Sequence, residues 1–164
     1  MQSVWFENIN KPEFDSLDGN CETGVLIIGG GLAGILCAYM LEQKGVDYLL
    51  IEADRICNGV TADTTAKVTA QHGLIYDKII GKYGLGYARE YYNLNSNAVN
   101  IYREICKKYD CNFETKSAYV YSLEENEDIE NEIEAYRVIG IPFDTVTQTY
   151  LKIGRAVQQE CRDR

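Results

Sequence analysis

The 164-residue chain has one histidine, one tryptophan and two prolines. A single histidine, His72, excludes a multi-histidine metal centre within these residues, and makes a Ser-His-Asp hydrolase an improbable reading. Basic residues are scarce against acidic ones, 16 to 25, and the net charge is −9. That balance argues against nucleic acid or an anionic membrane surface as a partner. No apolar run approaches the roughly 20 residues that span a bilayer. Residues 1–20 are polar and acidic, without the apolar centre of a secretory signal. Six cysteines (Cys21, Cys37, Cys57, Cys106, Cys111, Cys161) include no CxxC pair. They read as reduced thiols of a cytoplasmic protein, mostly packing residues; Cys106 and Cys111 are too isolated to argue for a metal.

What the chain does have is concentrated between Val25 and Glu52. Val25 to Ile28 is a short apolar run fit for a buried parallel strand. Gly29-Gly30-Gly31-Leu32-Ala33-Gly34 follows and opens an apolar-periodic segment carrying Ile35, Ala38, Tyr39 and Leu41. Gly45 is placed to end that helix. Tyr48 to Ile51 reads as a second strand, closed by Glu52, 23 positions after Gly29. In such a βαβ unit the first glycine turns the chain out of the strand. The second, Gly31, lets backbone approach a diphosphate, and Gly34 lets the helix pack on the strand. The helix N-terminus presents free N–H groups to phosphate, and Glu52 is positioned to accept bonds from ribose hydroxyls. The pattern predicts an α/β fold with a Rossmann-like dinucleotide cradle.

Residues 53–75 form a connection rich in Thr, Ala and Gly. Small and hydroxyl residues suit a flat ring, and Thr61, Thr64, Thr65 and Lys67 are the candidates there. Arg55 is placed either to meet a phosphate or to pair with a surface acid. Capping and turn chemistry is the competing role for each. Residues 1–22 read as an arm, with Trp5, Phe6 and Phe14 as anchors. Residues 85–109 read as a helix with Ala88, Tyr91, Tyr92, Asn95, Ala98, Val99, Tyr102, Ile105 and Tyr109 on its buried side. Residues 113–122 read as a strand. An acidic helix spans 124–139, with Ile129, Ile133, Tyr136 and Val138 as its apolar stripe and its glutamates on a solvated face. Gly140 ends it, and residues 141–143 start a short strand.

The fingerprint alone fits NAD(P) or FAD. An NAD(P)-dependent dehydrogenase should continue in regular βα repeats after Glu52, where this chain has a Thr-rich loop. With Ser3-Val4-Trp5, Gly59-Val60-Thr61, Thr64-Thr65-Ala66-Lys67 and Gln71-His72-Gly73, the chain resembles the FAD-dependent oxidoreductases of the D-amino-acid oxidase (glycine/sarcosine oxidase-like) superfamily. It looks most like the bacterial branch that carries a C-terminal Rieske [2Fe–2S] domain. The resemblance covers roughly residues 3 to 147.

The resemblance implies that Gly29, Gly30, Gly31 and Gly34 contact the FAD pyrophosphate and Glu52 the adenosine ribose, with Leu32, Ala33 and Ala53 also among the FAD-binding residues. It implies that Arg55, Gly59, Thr61, Thr64, Thr65 and Lys67 line the flavin side. The reaction it implies is oxidation of an amine or amino-acid C–N bond, with hydride transfer to flavin. Residues 23–84 would be the first part of the FAD domain, and 85–151 the beginning of an α+β substrate domain. The family is far longer than this chain, so the fold is expected to be incomplete and the isolated chain inactive and weak in FAD binding. Any Rieske ligands would lie further on. Residues 152–164 show no apolar period and no strand pattern, and resemble a direct translation of a common sequencing-library adapter. They are expected to be non-native, with a genuine, poorly packed tail as the alternative. The competing function from another class is a non-catalytic dinucleotide-binding module, since no acid, base or nucleophile stands near the fingerprint. The sequence names neither the substrate nor the electron acceptor.

Overall fold

The computed structural model describes residues 12–109, 111–122 and 126–146, and the backbone of 155–161. The chain divides into two compact units, Met1–Thr65 and Ala66–Arg164.

The first unit is built on β1 (Leu26–Ile28), α1 (Leu32–Gln43) and β2 (Leu49–Ile51). The two strands pair in parallel, Leu26 opposite Leu49 and Ile28 opposite Ile51. Such pairing needs a crossover, and α1 supplies it. The helix ends on Lys44, with Gly45 N donating to Glu42 O and Val46 N to Leu41 O, the paired bonds that close a helix on glycine. Ala38 is the buried position of α1. Three expectations fail here. β1 is not buried on both faces: Ile27 is covered, but Leu26 and Ile28 are 51% and 79% exposed. Among the described residues of this unit only α1 supplies an apolar layer, and one helix covers one face of a two-stranded ribbon. Cys37 lies on the exposed side of α1 rather than in packing. Phe14 is exposed and anchors nothing. Trp5 and Phe6 lie outside the described residues.

The second unit contains α2 (Tyr76–Tyr83), α3 (Leu85–Cys106), β3 (Lys116–Ser122), α4 (Glu127–Ile139), β4 (Asp144–Val146) and β5 (Arg155–Cys161). Its core joins Tyr76 and Ile79 of α2, Ala88 of α3, and Ile129, Ile133, Ala135, Tyr136 and Ile139 of α4, with Ile141. Tyr76 and Tyr136 meet edge to face at 5.4 Å, a favoured aromatic arrangement. The helix over residues 85–109 and the strand over 113–122 are present, with tighter bounds. Ala98 and Tyr109, expected on the buried side of α3, are exposed. In α4 the stripe is Ile129, Ile133, Tyr136 and Ile139; Val138 is exposed, because the 3.6-residue period returns to the core at 139. Asn126 caps α4, its side-chain oxygen accepting from Asp128 N at 2.9 Å, and Gly140 ends it at φ 91°. The short strand begins at Asp144, not Ile141: Ile141 is buried, and its N–H still bonds Tyr136 O.

Two features were not expected. Residues 155–161 form a strand at the centre of an antiparallel sheet of order β3-β5-β4. Lys116 pairs with Cys161, Ser122 with Arg155 and Asp144 with Gln158. A ladder between two neighbours is made by backbone groups and does not require apolar side-chain alternation. The other is α2, which falls between the connection over residues 53–75 and the helix expected from 85, where no element was expected. Its first turn is held by Glu132, which is 1% exposed. Glu132 Oε1 accepts from Ile75 N at 3.1 Å and Tyr76 N at 3.0 Å, and Oε2 accepts from Asp77 N at 2.9 Å. The glutamates of α4 therefore do not all lie on a solvated face: Glu132 points inward because three N–H donors satisfy it there.

Candidate dinucleotide site

The first unit places most of the expected site residues together. The chain leaves β1 at Gly29, whose φ of 103° a side chain would resist. Gly29 N donates to Ile51 O at 2.8 Å, which carries the parallel pairing one residue past β1. A Cβ on Gly34 would lie 1.9 Å from Gly29 O, so α1 starts in direct contact with the backbone of the turn. Gly30 is enclosed almost as tightly. A Cβ there would stand 2.8 Å from Ile56 Cγ2 and 3.3 Å from the Glu52 Cβ. At Gly31 the nearest atom to a Cβ is Thr61 Oγ1 at 3.4 Å, an ordinary contact.

Glu52 holds the turn. Its Oε2 accepts from Gly30 N at 2.6 Å, and its Oε1 from Ala53 N at 2.8 Å and Asp54 N at 3.2 Å. The Gly30 N–H, then the Asp54 and Ala53 N–H groups, favour the carboxylate and hold its pKa below the usual glutamate range. Thr61 closes the other side. It ends a 3-10 turn, Gly59–Thr61, and its Oγ1 accepts from Leu32 N, the first residue of α1, at 3.1 Å. Gly31 itself makes no side-chain cap, so a hydroxyl 29 positions beyond Leu32 performs that role. The first intrahelical donor is Ile35 N, to Gly31 O at 3.0 Å. The N–H groups of Ala33 and Gly34 thus have no acceptor within the helix.

Arg55, Thr64 and Thr65 are exposed residues of this unit, as is Ala53. Lys67, also exposed, belongs to the second unit. Three contributors escaped the sequence reading. Cys57 N donates to Gly30 O at 2.8 Å, Ile56 covers Gly30, and Asp54 both donates to Glu52 and accepts from Asn58 Nδ2 at 3.0 Å. Cys57 does so at φ 55°, a conformation that nothing in its residue type announces. In the second unit, His72 Nδ1 meets Tyr91 Oη at 2.9 Å, and Gln71 Nε2 donates to Tyr136 Oη at 3.2 Å. Among the described residues no cluster of three or more His, Cys, Asp or Glu could hold a metal, and no helix is long and apolar enough to cross a membrane.

The glycine turn, the helix behind it and the carboxylate that fastens it form the candidate site, and comparison with known proteins gives the family. Residues 24–156 match the family described as FAD dependent oxidoreductase (DAO), and the chain belongs to that family. It is 41% identical over 157 residues to YhfW of Bacillus subtilis (strain 168), whose name provisionally assigns it a Rieske 2Fe-2S iron–sulfur centre; the alignment covers 93% of this chain and 31% of that protein. It is 28% identical over 121 residues to gamma-glutamylputrescine oxidoreductase of Escherichia coli (strain K12), covering 72% of this chain and 28% of that one. Among solved structures, L-amino acid deaminase from Proteus vulgaris shares the fold at a TM-score of 0.66 and 16% identity, over 94% of this chain and 37% of its own. The chain thus spans about a third of the length of these relatives. The family match extends to residue 156, five residues into the segment 152–164 read as foreign.

Proposed function

We propose that the chain is the FAD-cradling N-terminal part of an oxidoreductase that oxidises the C–N bond of an amine or amino acid. The observation that carries the reading is the turn between Gly29 and Gly34, held by Glu52 and Thr61, in a chain of the FAD-dependent family. Its residues fit a dinucleotide. Gly30 and Gly34 leave no room for side chains, the start of α1 keeps the Ala33 and Gly34 N–H groups for a phosphate, and a carboxylate stands at the tip of β2. FAD, when bound, supplies the two-electron acceptor for the hydride taken from the substrate carbon. The chain's own part is to bind and orient. Gly29, Gly30, Gly31, Leu32, Ala33, Gly34 and Thr61 are assigned to the phosphate end, and Glu52 and Ala53 to the adenosine ribose. Arg55, Gly59, Thr64, Thr65 and Lys67 keep their assignment toward the flavin. The names of the relatives, a putrescine-conjugate oxidoreductase and an amino acid deaminase, support an amino-compound substrate.

The exposed apolar residues of β1 and the short span against the relatives support an inactive isolated chain. The test compares the chain and its full-length parent. Each is expressed with FAD, desalted, and read by visible absorption. The parent is then mixed anaerobically with polyamines, their γ-glutamyl conjugates and L-amino acids. Bleaching of a stoichiometric flavin by one of these is the expected result. A parent without flavin overturns the cofactor assignment, and a flavin that no amine bleaches turns the reading toward a non-catalytic module.

A further inference from the structure

At the C-terminal end of α3 the chain turns back on itself. Tyr109 N donates to Cys106 O at 3.4 Å, and Asn112 takes a φ of 50°. The turn returns the Cys111 side chain to the helix end, where its Sγ donates to the same Cys106 O at 3.8 Å. Cys106 is half-buried and Cys111 exposed. Cys111 Sγ therefore stands against the backbone of Cys106, and the two thiols, five positions apart and far in sequence from the glycine turn, have unequal access to solvent. Spacing alone gave no reason to couple them.

We infer that Cys106 and Cys111 are a dithiol that a low-molecular-weight disulfide oxidises to an intramolecular bond, locking the chain against the end of α3. With oxidised glutathione as reactant, the exposed Cys111 thiolate attacks one sulfur of the disulfide. A Cys111–glutathione bond forms, the glutathione S–S bond breaks, and one glutathione thiolate leaves. The Cys106 thiolate then attacks Cys111 Sγ, the Cys106–Cys111 bond forms and the second glutathione leaves. The protein loses two electrons and two protons, and the reagent is reduced to two thiols. The order follows from access and acidity. Burial, then the Cys111 thiol, push the Cys106 thiol up to about 11, so Cys106 is a poor first nucleophile and a well-placed second one.

The test uses the full chain, reduced, freed of reductant and exposed to oxidised glutathione. Trapping with an alkylating agent and peptide mass spectrometry then locate each sulfur. The expected product is a Cys106–Cys111 linked peptide pair two hydrogens lighter, while the exposed thiols of Cys21 and Cys37 carry glutathione adducts. C106S should stop with glutathione on Cys111, and C111S should leave Cys106 largely unreacted. Closure in the folded chain should exceed that in urea-unfolded chain by tenfold or more. Separate adducts on both cysteines without a link, or equal closure in the folded and unfolded chain, would overturn the inference.

Discussion

Replacing Gly34 with alanine tests whether the contact of α1 on the turn holds the first unit together. The added carbon would lie 1.9 Å from Gly29 O, 3.1 Å from Gly29 C and 3.4 Å from Ile27 Cγ2. Carbon and oxygen meet without overlap at about 3.3 Å, so the helix start must retreat by roughly 1.4 Å. The nearest atoms are backbone, and no rotamer change relieves them. Gly29 is itself tied to Ile51 O, so the strain passes to the β1–β2 pair. The cost should reach about 3 kcal/mol, the upper end for overpacking, against which the helix preference of alanine over glycine returns at most about 1 kcal/mol. Gly81 is the control. It lies in α2, its Cβ would meet nothing within 4 Å, and G81A should stabilise by about 0.5–1 kcal/mol. Hydrogen exchange resolved by peptide is the assay. A net loss of about 2–3 kcal/mol should lower amide protection over residues 24–52 by roughly 30- to 150-fold in G34A. G81A should leave that segment unchanged and raise protection over residues 76–83. A G34A chain with wild-type protection over residues 24–52 would refute the close-contact argument.

In the second unit, Glu132→Ala strands three N–H groups at the start of α2 and should cost about 2–4 kcal/mol in thermal unfolding. Burial, only partly opposed by the Asp77, Tyr76 and Ile75 N–H groups, raises the Glu132 pKa, so its folded form holds its proton to higher pH than the unfolded chain. Stability from this group is present below the unfolded value near 4.5 and declines as pH rises through the raised one; E132Q should flatten that slope, and an unchanged slope would refute it. Glu52 runs the other way: its depressed pKa means that its support of the turn is present above about 4.5 and fades as pH falls through the folded value. Carboxyl carbon NMR should put its midpoint below that of ordinary glutamates, and a midpoint at or above theirs would contradict the three N–H bonds.

The parts of the fold that were legible in the sequence are those whose determinants are local. The glycine turn, the period of α1, Gly45 and Gly140 as helix ends, and the stripe of α4 each announce themselves within a few residues. What escaped depends on distant partners. The start of α2 carries no capping residue of its own, since its acceptor is Glu132, 56 positions from Tyr76. The cap of α1 is likewise borrowed from Thr61. The strand at residues 155–161 takes its order from two neighbours' backbones, so its polar side chains hid it. Cys106 and Cys111 meet only because the chain turns back after α3.

Glu52, proposed for the ribose, also has a structural role that its spacing from Gly29 did not suggest. The spacing from Gly29 placed a carboxylate at the tip of β2 for a ribose. A carboxylate offers about four acceptor positions. Three are taken by the Gly30, Ala53 and Asp54 N–H groups, two on Oε1 and one on Oε2. One position on Oε2 is left, enough for one ribose hydroxyl without breaking any bond to the turn. The proposed ribose contact would therefore add to the structural role rather than compete with it. E52Q turns one oxygen into an NH2 group that faces N–H donors, and should loosen the turn even with no nucleotide present. A defect seen only with nucleotide bound would assign Glu52 to the ribose alone, whereas loss of Gly30 protection in the bare chain would show that the carboxylate builds the cradle before it binds in it.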